Sequence, residues 1–204
     1  NLMTQTQVAL SSARNKDEYK EVLYSSLEEY ERMAQMVGDM LYLAQTDNRL
    51  LKPGLEKVDL AHEVQDLFDY FEAWAEECAV RLALTGTASV TGDRLMLRRA
   101  LSNLISNAIR HTPPGQTVQV SLARQGDQAT VSVENPGKEI PAEHLPRLFD
   151  RFYRVDPARQ RKGDGAGLGL AIVKSIIEAH GGSISVTSAN QQTRFQLTLP
   201  TLAE

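Results

Sequence analysis

Between Leu23 and Ala44 the apolar residues fall at Leu23, Leu27, Tyr30, Ala34, Val37, Leu41 and Ala44, alternating steps of four and three. That spacing is a heptad seam, and it commits the stretch from about Asp17 to Thr46 to one long helix. A second row, Met33, Met36, Met40 and Leu43, widens the apolar face. So broad a face suits a helix bundle better than a two-stranded coil. Asn1 to Ala13 reads as a preceding helix, with the polar segment Ser12–Asp17 as the turn. Two antiparallel helices cannot bury this face alone, so the pattern predicts a homodimer closed as a four-helix bundle. The competing reading is a hairpin packed on the remainder of its own chain.

Pro53-Gly54 ends the helical pattern, which places a domain boundary there: a helical hairpin over 1–54 and a second domain over 55–204. The second domain mixes helices and strands. Asp59 is expected to cap a helix to about Ala79, and Asp93 one to Arg110, stopped by His111-Thr-Pro-Pro-Gly115. Leu168 to Ala179 reads as a third helix and Glu143 to Phe152 as a short helical piece. Strand patterns cover Val80–Thr85, Ala88–Thr91, Thr117–Arg124, Gln128–Glu134, Ser183–Thr187 and Arg194–Leu199, with Gln125-Gly-Asp127 as a hairpin turn. Hairpins among helices argue for an α+β sandwich rather than a doubly wound sheet.

Composition narrows the function. The chain of 204 residues carries 22 Lys and Arg against 26 Asp and Glu, a formal net charge of −4. That balance argues against a nucleic-acid binder. The one cysteine, Cys78, excludes an intrachain disulfide and a cysteine-based zinc cluster. No apolar run approaches the roughly 18 residues that span a bilayer, and no signal peptide opens the chain. These features lead to the expectation of a soluble, cytosolic polypeptide.

Four constellations carry chemistry. On the helix Asp93–Arg110, Asn103 and Asn107 sit four apart beside the apolar face of Leu97, Leu101, Leu104, Ile105 and Ala108. Asn is a poor residue inside a helix. An amide oxygen suits Mg²⁺, which keeps waters and bridges to phosphates, and Arg110 is placed to face those phosphates. The alternative is two amides satisfying backbone groups. The second is Gly163-Asp-Gly-Ala-Gly-Leu-Gly169, running into an apolar helix. Its glycines allow close approach to a phosphate at a helix N-terminus, yet it fits neither the P-loop nor the Rossmann pattern. The third is Asn135-Pro-Gly137, either a plain turn or an amide aimed at an adenine edge. The fourth is Leu148-Phe-Asp-Arg-Phe-Tyr-Arg154 with a basic run to Lys162, read as a lid over anionic phosphates rather than a solvated loop. His62, His144 and His180 lack metal-ligand spacing and are assigned surface or capping roles. Trp74 is expected in the core with Phe68 and Phe71, and Cys78 as a small buried residue.

Taken in order, NLISNAIRHT, ENPGKEIP, LFDRFYR and GDGAGLGLAIVKSIIEAHGG resemble the N, G1, F and G2 boxes of sensor histidine kinases. The run LFDRFYRVDPARQRKGDGAGLGLAIVKSI is similar to the heavy-metal (copper/silver) sensor kinases. The resemblance implies a Bergerat ATP-binding fold with ATP and Mg²⁺ as cofactors. It implies Asn107 as the Mg²⁺ ligand and Asn103 as its partner. Arg110 and His111 would lie near the phosphates and nucleotide, Asn135 and Gly137 at the adenine, and Gly165, Gly167, Leu168 and Gly169 at the lid hinge and phosphates. It further implies a homodimer through 1–54, a response regulator as partner, and the cytoplasmic portion of an inner-membrane sensor.

In the related gyrase and mismatch-repair ATPases the position of Asn103 holds a Glu that activates water. Asn cannot take a proton at neutral pH, which fits transfer to a histidine rather than hydrolysis. An ATPase of that type and a non-enzymatic dimeric adaptor remain the alternatives. Two departures stand out. Asn135 occupies a place where the family has Asp, a stronger acceptor. The family's phosphoacceptor motif H-[DE]-L-R-T-P does not occur, so the chain is expected to begin just after it and to be unable to phosphorylate itself.

Overall fold

An asparagine starts the first helix. The Asn15 side chain accepts hydrogen bonds from the Asp17 and Glu18 N–H groups (3.0 and 2.9 Å), and Glu18 Oε2 accepts from the Asn15 N–H (3.0 Å). This reciprocal capping box, with Asp17 and Glu18 in the first turn, opens α1, Lys16–Asp47. A computed structural model describes Met3, Gln7 and Ser11 and residues 15–47, 53–155 and 166–201. The expected helix Asn1–Ala13 falls mostly outside those residues, as do the basic run to Lys162 and Gly163 to Gly165. The chain divides into two compact units, Asn1–Tyr42 and Leu43–Glu204. Along α1 the heptad seam is open: Leu23, Leu27, Tyr30, Val37 and Leu41 are all more than half exposed.

The second unit is a two-layer α/β sandwich. It contains β1 (Glu56–Asp59), α2 (Leu60–Glu77), β2 (Arg81–Thr85), β3 (Ser89–Gly92), α3 (Arg94–His111), β4 (Thr117–Gln125) and β5 (Gln128–Pro136). A 3₁₀ turn (Leu145–Arg147), α4 (Gly169–Ala179), β6 (Ser183–Ala189) and β7 (Gln192–Pro200) follow. The five-stranded sheet has the order β2-β4-β5-β7-β6. Only β2 and β4 run parallel; the other neighbours are antiparallel. β1 and β3 form a separate two-stranded ribbon.

Alternation along the strands builds the core. Val120 lies opposite Val133, Leu122 opposite Val131, and Val133 and Val131 opposite Phe195 and Leu197. These side chains are buried on one face, against Leu104, Ile105 and Ala108 of α3 and Ile172, Ile176 and Ile177 of α4. The other face carries Gln119, Ser121, Thr130, Ser132, Gln196 and Thr198, none of them buried, as expected for a sheet covered on one side.

Three readings of the sequence need correction. The stretch Glu143–Phe152 holds only the 3₁₀ turn, because Pro146 lacks an N–H and Phe152 adopts a left-handed φ of 62°. Trp74 and Cys78 are half-buried rather than core residues. β1 has no counterpart in the sequence reading: one apolar residue, Val58, in four gives no alternation, and its pairing comes from β3 about thirty residues on. No helix among the described residues is long and apolar enough to cross a membrane.

Candidate functional site

Helix α3 is the spine of the site. Asp93 caps it: Oδ1 accepts from the Met96 N–H (3.0 Å) and Oδ2 from the Gly54 N–H (3.1 Å). The Met96 hydrogen bond holds the Asp93 carboxyl below its ordinary value. Burial opposes that shift, and the Gly54 and Leu95 N–H groups reinforce it. At the far end, Arg110 and His111 occupy the last turn, where cations complement the helix dipole. Thr112 closes it by donating from Oγ1 to the Ala108 carbonyl (2.7 Å).

Positions 103, 107, 110 and 111 share one side of α3 by the 3.6-residue period. On the side opposite Asn103, Arg94 and Arg98 reach to α2. The Glu63 carboxylate is 2% exposed and accepts from Arg94 Nε (2.5 Å) and Arg98 NH1 (3.2 Å), while Arg98 also reaches Asp66 (3.2 Å). The Asp66 and Glu63 hydrogen bonds raise the Arg98 pKa. This cluster fixes the rotation of α3 about its axis and so the direction of the asparagine side. The sequence reading missed it, because Glu63 and Arg94 lie 31 positions apart.

Two glycines close the ends of the asparagine side. A Cβ added to Gly169 at the start of α4 would stand 3.2 Å from Asn103 Oδ1. A Cβ added to Gly137 would stand 2.8 Å from the His111 carbonyl oxygen. Absent side chains therefore let α4 approach the middle of α3 and the β5 exit approach its end. Asn135 is the penultimate residue of β5 and is buried. Its amide donates to the Pro136 carbonyl (3.2 Å), and Gly137 N–H donates to Gln191 (2.9 Å). An open cleft of ≈570 Å³ lies beyond Gly137, between Pro113, Lys138 and Gln191, and contains neither Asn103 nor Asn107.

The approach to α4 is tied down as well. Phe152 N–H donates to the Gly167 carbonyl (3.0 Å), and both residues have positive φ, 62° and 75°. A Cβ on Gly167 would meet Phe152 backbone atoms at 3.0 Å. Phe149 stacks edge-on against Phe195, and Tyr153 hydrogen-bonds His144 (2.5 Å) under the Arg147 guanidinium. Leu168 precedes α4 without a side-chain cap, at the end of a helix that favours anions. Gly165 lies outside the described residues.

Arg110 lies over the Trp74 ring, 6.0 Å from its centre, a placement the sequence reading did not anticipate. Among the described residues no group of three or more His, Cys, Asp or Glu is arranged to hold a metal. The donors present on α3 are amides. Together with the glycine-lined approach at Gly169, that set fits a hard cation that takes its remaining ligands from phosphates and water.

A family model described as "Histidine kinase-, DNA gyrase B-, and HSP90-like ATPase" matches residues 92–203. The chain is 58% identical over 201 residues to sensor histidine kinase CusS of Escherichia coli K12, covering 98% of this chain and 42% of that protein. It is 52% identical over 209 residues to the probable sensor kinase SilS of Salmonella typhimurium, covering 99% and 42%. The chain thus spans less than half the length of these relatives. Among solved structures, Acinetobacter baumannii histidine kinase AdeS superposes with a TM-score of 0.84 at 24% identity, covering 99% of this chain and 94% of that one. Full-length ShkA in complex with AMPPNP gives 0.78 at 24%, covering 95% and 41%. Histidine kinase ThkA in complex with response regulator TrrA gives 0.79 at 20%, covering 98% and 57%. At these identities the structures establish the shared fold.

Proposed function

The chain belongs to the histidine kinase-, DNA gyrase B-, and HSP90-like ATPase family, and from that premise we propose that it is the ATP-binding catalytic portion of a sensor histidine kinase. The whole protein would transfer the γ-phosphoryl group of ATP to a histidine and onward to a response-regulator aspartate. The observation that carries this reading is the side of α3 bearing Asn103 and Asn107, approached closely by Gly169 at one end and Gly137 at the other. Relatives 58% and 52% identical that are themselves sensor kinases support it, and by that homology the chain groups with the heavy-metal sensor kinases.

Bound Mg²⁺·ATP supplies the reactive phosphoryl group and a cation that neutralises charge developing on it. This chain's residues position it. Asn107 is the cation's ligand on α3. Asn103, beside Gly169, orients the phosphate end and cannot act as a base toward water. Arg110 balances phosphate charge, and leaving the Trp74 face frees it to do so. His111 borders the nucleotide. Asn135 accepts from the adenine amino group through its carbonyl oxygen, more weakly than a carboxylate. Gly137 leaves room at that edge. The backbone of Gly165, Gly167, Leu168 and Gly169 offers N–H groups to the phosphates.

We extend the proposal to the whole protein. Residues 1–54 form the dimerisation hairpin and 55–204 the catalytic domain. The open seam of α1 is covered in a homodimer, as a four-helix bundle. ThkA was captured with its response regulator, which supports a regulator as partner here. The acceptor histidine lies outside this chain, because His62, His111, His144 and His180 have none of the expected context. The full protein is anchored in the inner membrane with this part in the cytoplasm.

The test is calorimetry with Mg²⁺·ATP on the chain and on Asn107→Ala. Binding by the first and loss of at least about tenfold in affinity by the second is the expected result. Equal affinity removes Asn107 from the site. Incubation with γ-labelled ATP should leave the chain alone unlabelled, and a stable phosphohistidine on it would overturn the external acceptor.

A further inference from the structure

Helices α3 and α4 run antiparallel along one another, and two junctions bracket them. One is the meeting of Asn103 with Gly169. The other lies at the start of α3 and the end of α4. His180, which follows α4, accepts the Asp93 backbone N–H at Nε2 (3.0 Å), and its Nδ1 stands 2.8 Å from the Ile176 carbonyl oxygen. A carbonyl only accepts and a backbone N–H only donates. The proton therefore sits on Nδ1, Nε2 is bare, and the ring is neutral. Gly92 makes room for it: a Cβ there would lie 2.6 Å from Cδ2 and 2.8 Å from Nε2 of His180.

The lengths match. Asp93 to Asn103 and Gly169 to His180 are ten and eleven helical steps, about 15 and 16 Å at 1.5 Å per residue. Fixing one junction thus sets the axial position of the other. We propose that His180 is a positioning residue that sets the register of α4 on α3, as a neutral ring protonated on Nδ1, and so brings the Gly169 end of α4 to Asn103. The proposal rests on the reading of that end as part of the nucleotide site. His180 touches no phosphate in it; it acts through α4.

Three variants separate this role from plain stability. His180→Gln keeps an acceptor for the Asp93 N–H, His180→Leu removes it, and Gly92→Ala pushes the ring away. Mg²⁺·ATP affinity is measured by calorimetry per folded molecule, well below each melting temperature. His180→Leu and Gly92→Ala should weaken binding about tenfold, and His180→Gln should stay within about threefold of the parent chain. A merely structural role lowers the melting temperature and leaves the affinity of the folded molecules unchanged, and that result overturns the proposal. Without nucleotide, imidazole ¹⁵N shifts should show a protonated Nδ1 and a bare Nε2, and the Asp93 amide should lose hydrogen-exchange protection in His180→Leu. A protonated Nε2, or an Asp93 amide equally protected in that variant, also overturns it. Failure of the parent chain to bind Mg²⁺·ATP removes the nucleotide reading and the affinity claim with it. The ring state and the Asp93 amide still decide the pin.

Discussion

Helices α1 and α3 announce themselves in sequence by the same device, an apolar row at helical spacing, yet they end in opposite environments. On α3 the row Leu97, Leu101, Leu104, Ile105 and Ala108 is at most 2% exposed, against the chain's own sheet. On α1 the seam residues Leu23, Leu27, Tyr30 and Val37 are 53–68% exposed. Periodicity therefore states that a face will be covered, and it does not state by what. For α3 the cover is Val120, Val131 and their neighbours, delivered by strands of the same unit. For α1 it is, in our proposal, a second copy of the seam.

Substitutions on the two helices test that contrast, and Trp74 reports on one side of it. As the only tryptophan, lying on α2, it follows unfolding of the sandwich alone. The largest effect is expected from Leu104→Ala: urea unfolding followed at Trp74 should show a loss of about 3–4 kcal/mol, as for a fully buried leucine left as a cavity. Glu63→Gln is next. It weakens the ionic tie between α2 and α3 without opening a void and should cost about 1–2 kcal/mol in the same measurement. The pair Leu27→Glu and Leu41→Glu on the α1 seam should change the sandwich by less than about 0.5 kcal/mol. In sedimentation, however, that pair should turn a dimer into a monomer. A dimer that persists, or a sandwich that unfolds, would erase the distinction between the two helices.

The smallest effect concerns Asp93. Its folded pKa lies below the ordinary aspartate value, chiefly through the Met96 N–H. Its carboxylate therefore stabilises the fold fully above the ordinary aspartate range and loses that contribution as pH falls through the depressed value. Asp93→Asn keeps a capping oxygen but no charge. Its urea midpoint should fall less steeply than the parent's as the pH drops below the ordinary carboxylate range.

What was legible in the sequence was what neighbours in sequence decide. Asp93 and the Thr-Pro-Pro-Gly stop bounded α3 to within a residue, because caps and prolines act locally. The Gln125-Gly-Asp127 turn located the β4–β5 hairpin for the same reason. Asn103 and Asn107 stood out because a helix interior disfavours them. Long-range packing stayed hidden. Nothing near Glu63 announces Arg94, nothing near Trp74 announces Arg110, and His180 looked like an ordinary capping residue until Asp93 was seen 87 positions away. The Glu143–Phe152 segment reads as a short helix from the sequence. It is turned by Pro146 and by the contact between Phe152 and Gly167, which joins residues fifteen apart.

The position of β7 bears on how such a chain is made. It is the last strand described, yet it lies inside the sheet, between β5 and β6. During synthesis, β2, β4 and β5 can assemble as soon as they leave the ribosome, but β6 has no strand to join until Gln192–Pro200 has cleared the exit tunnel. A nascent chain stalled before that point would present β5 with one bare edge. The β5 end that carries Asn135 would then gain its neighbour only when Gln192–Pro200 slots into the space between β5 and β6.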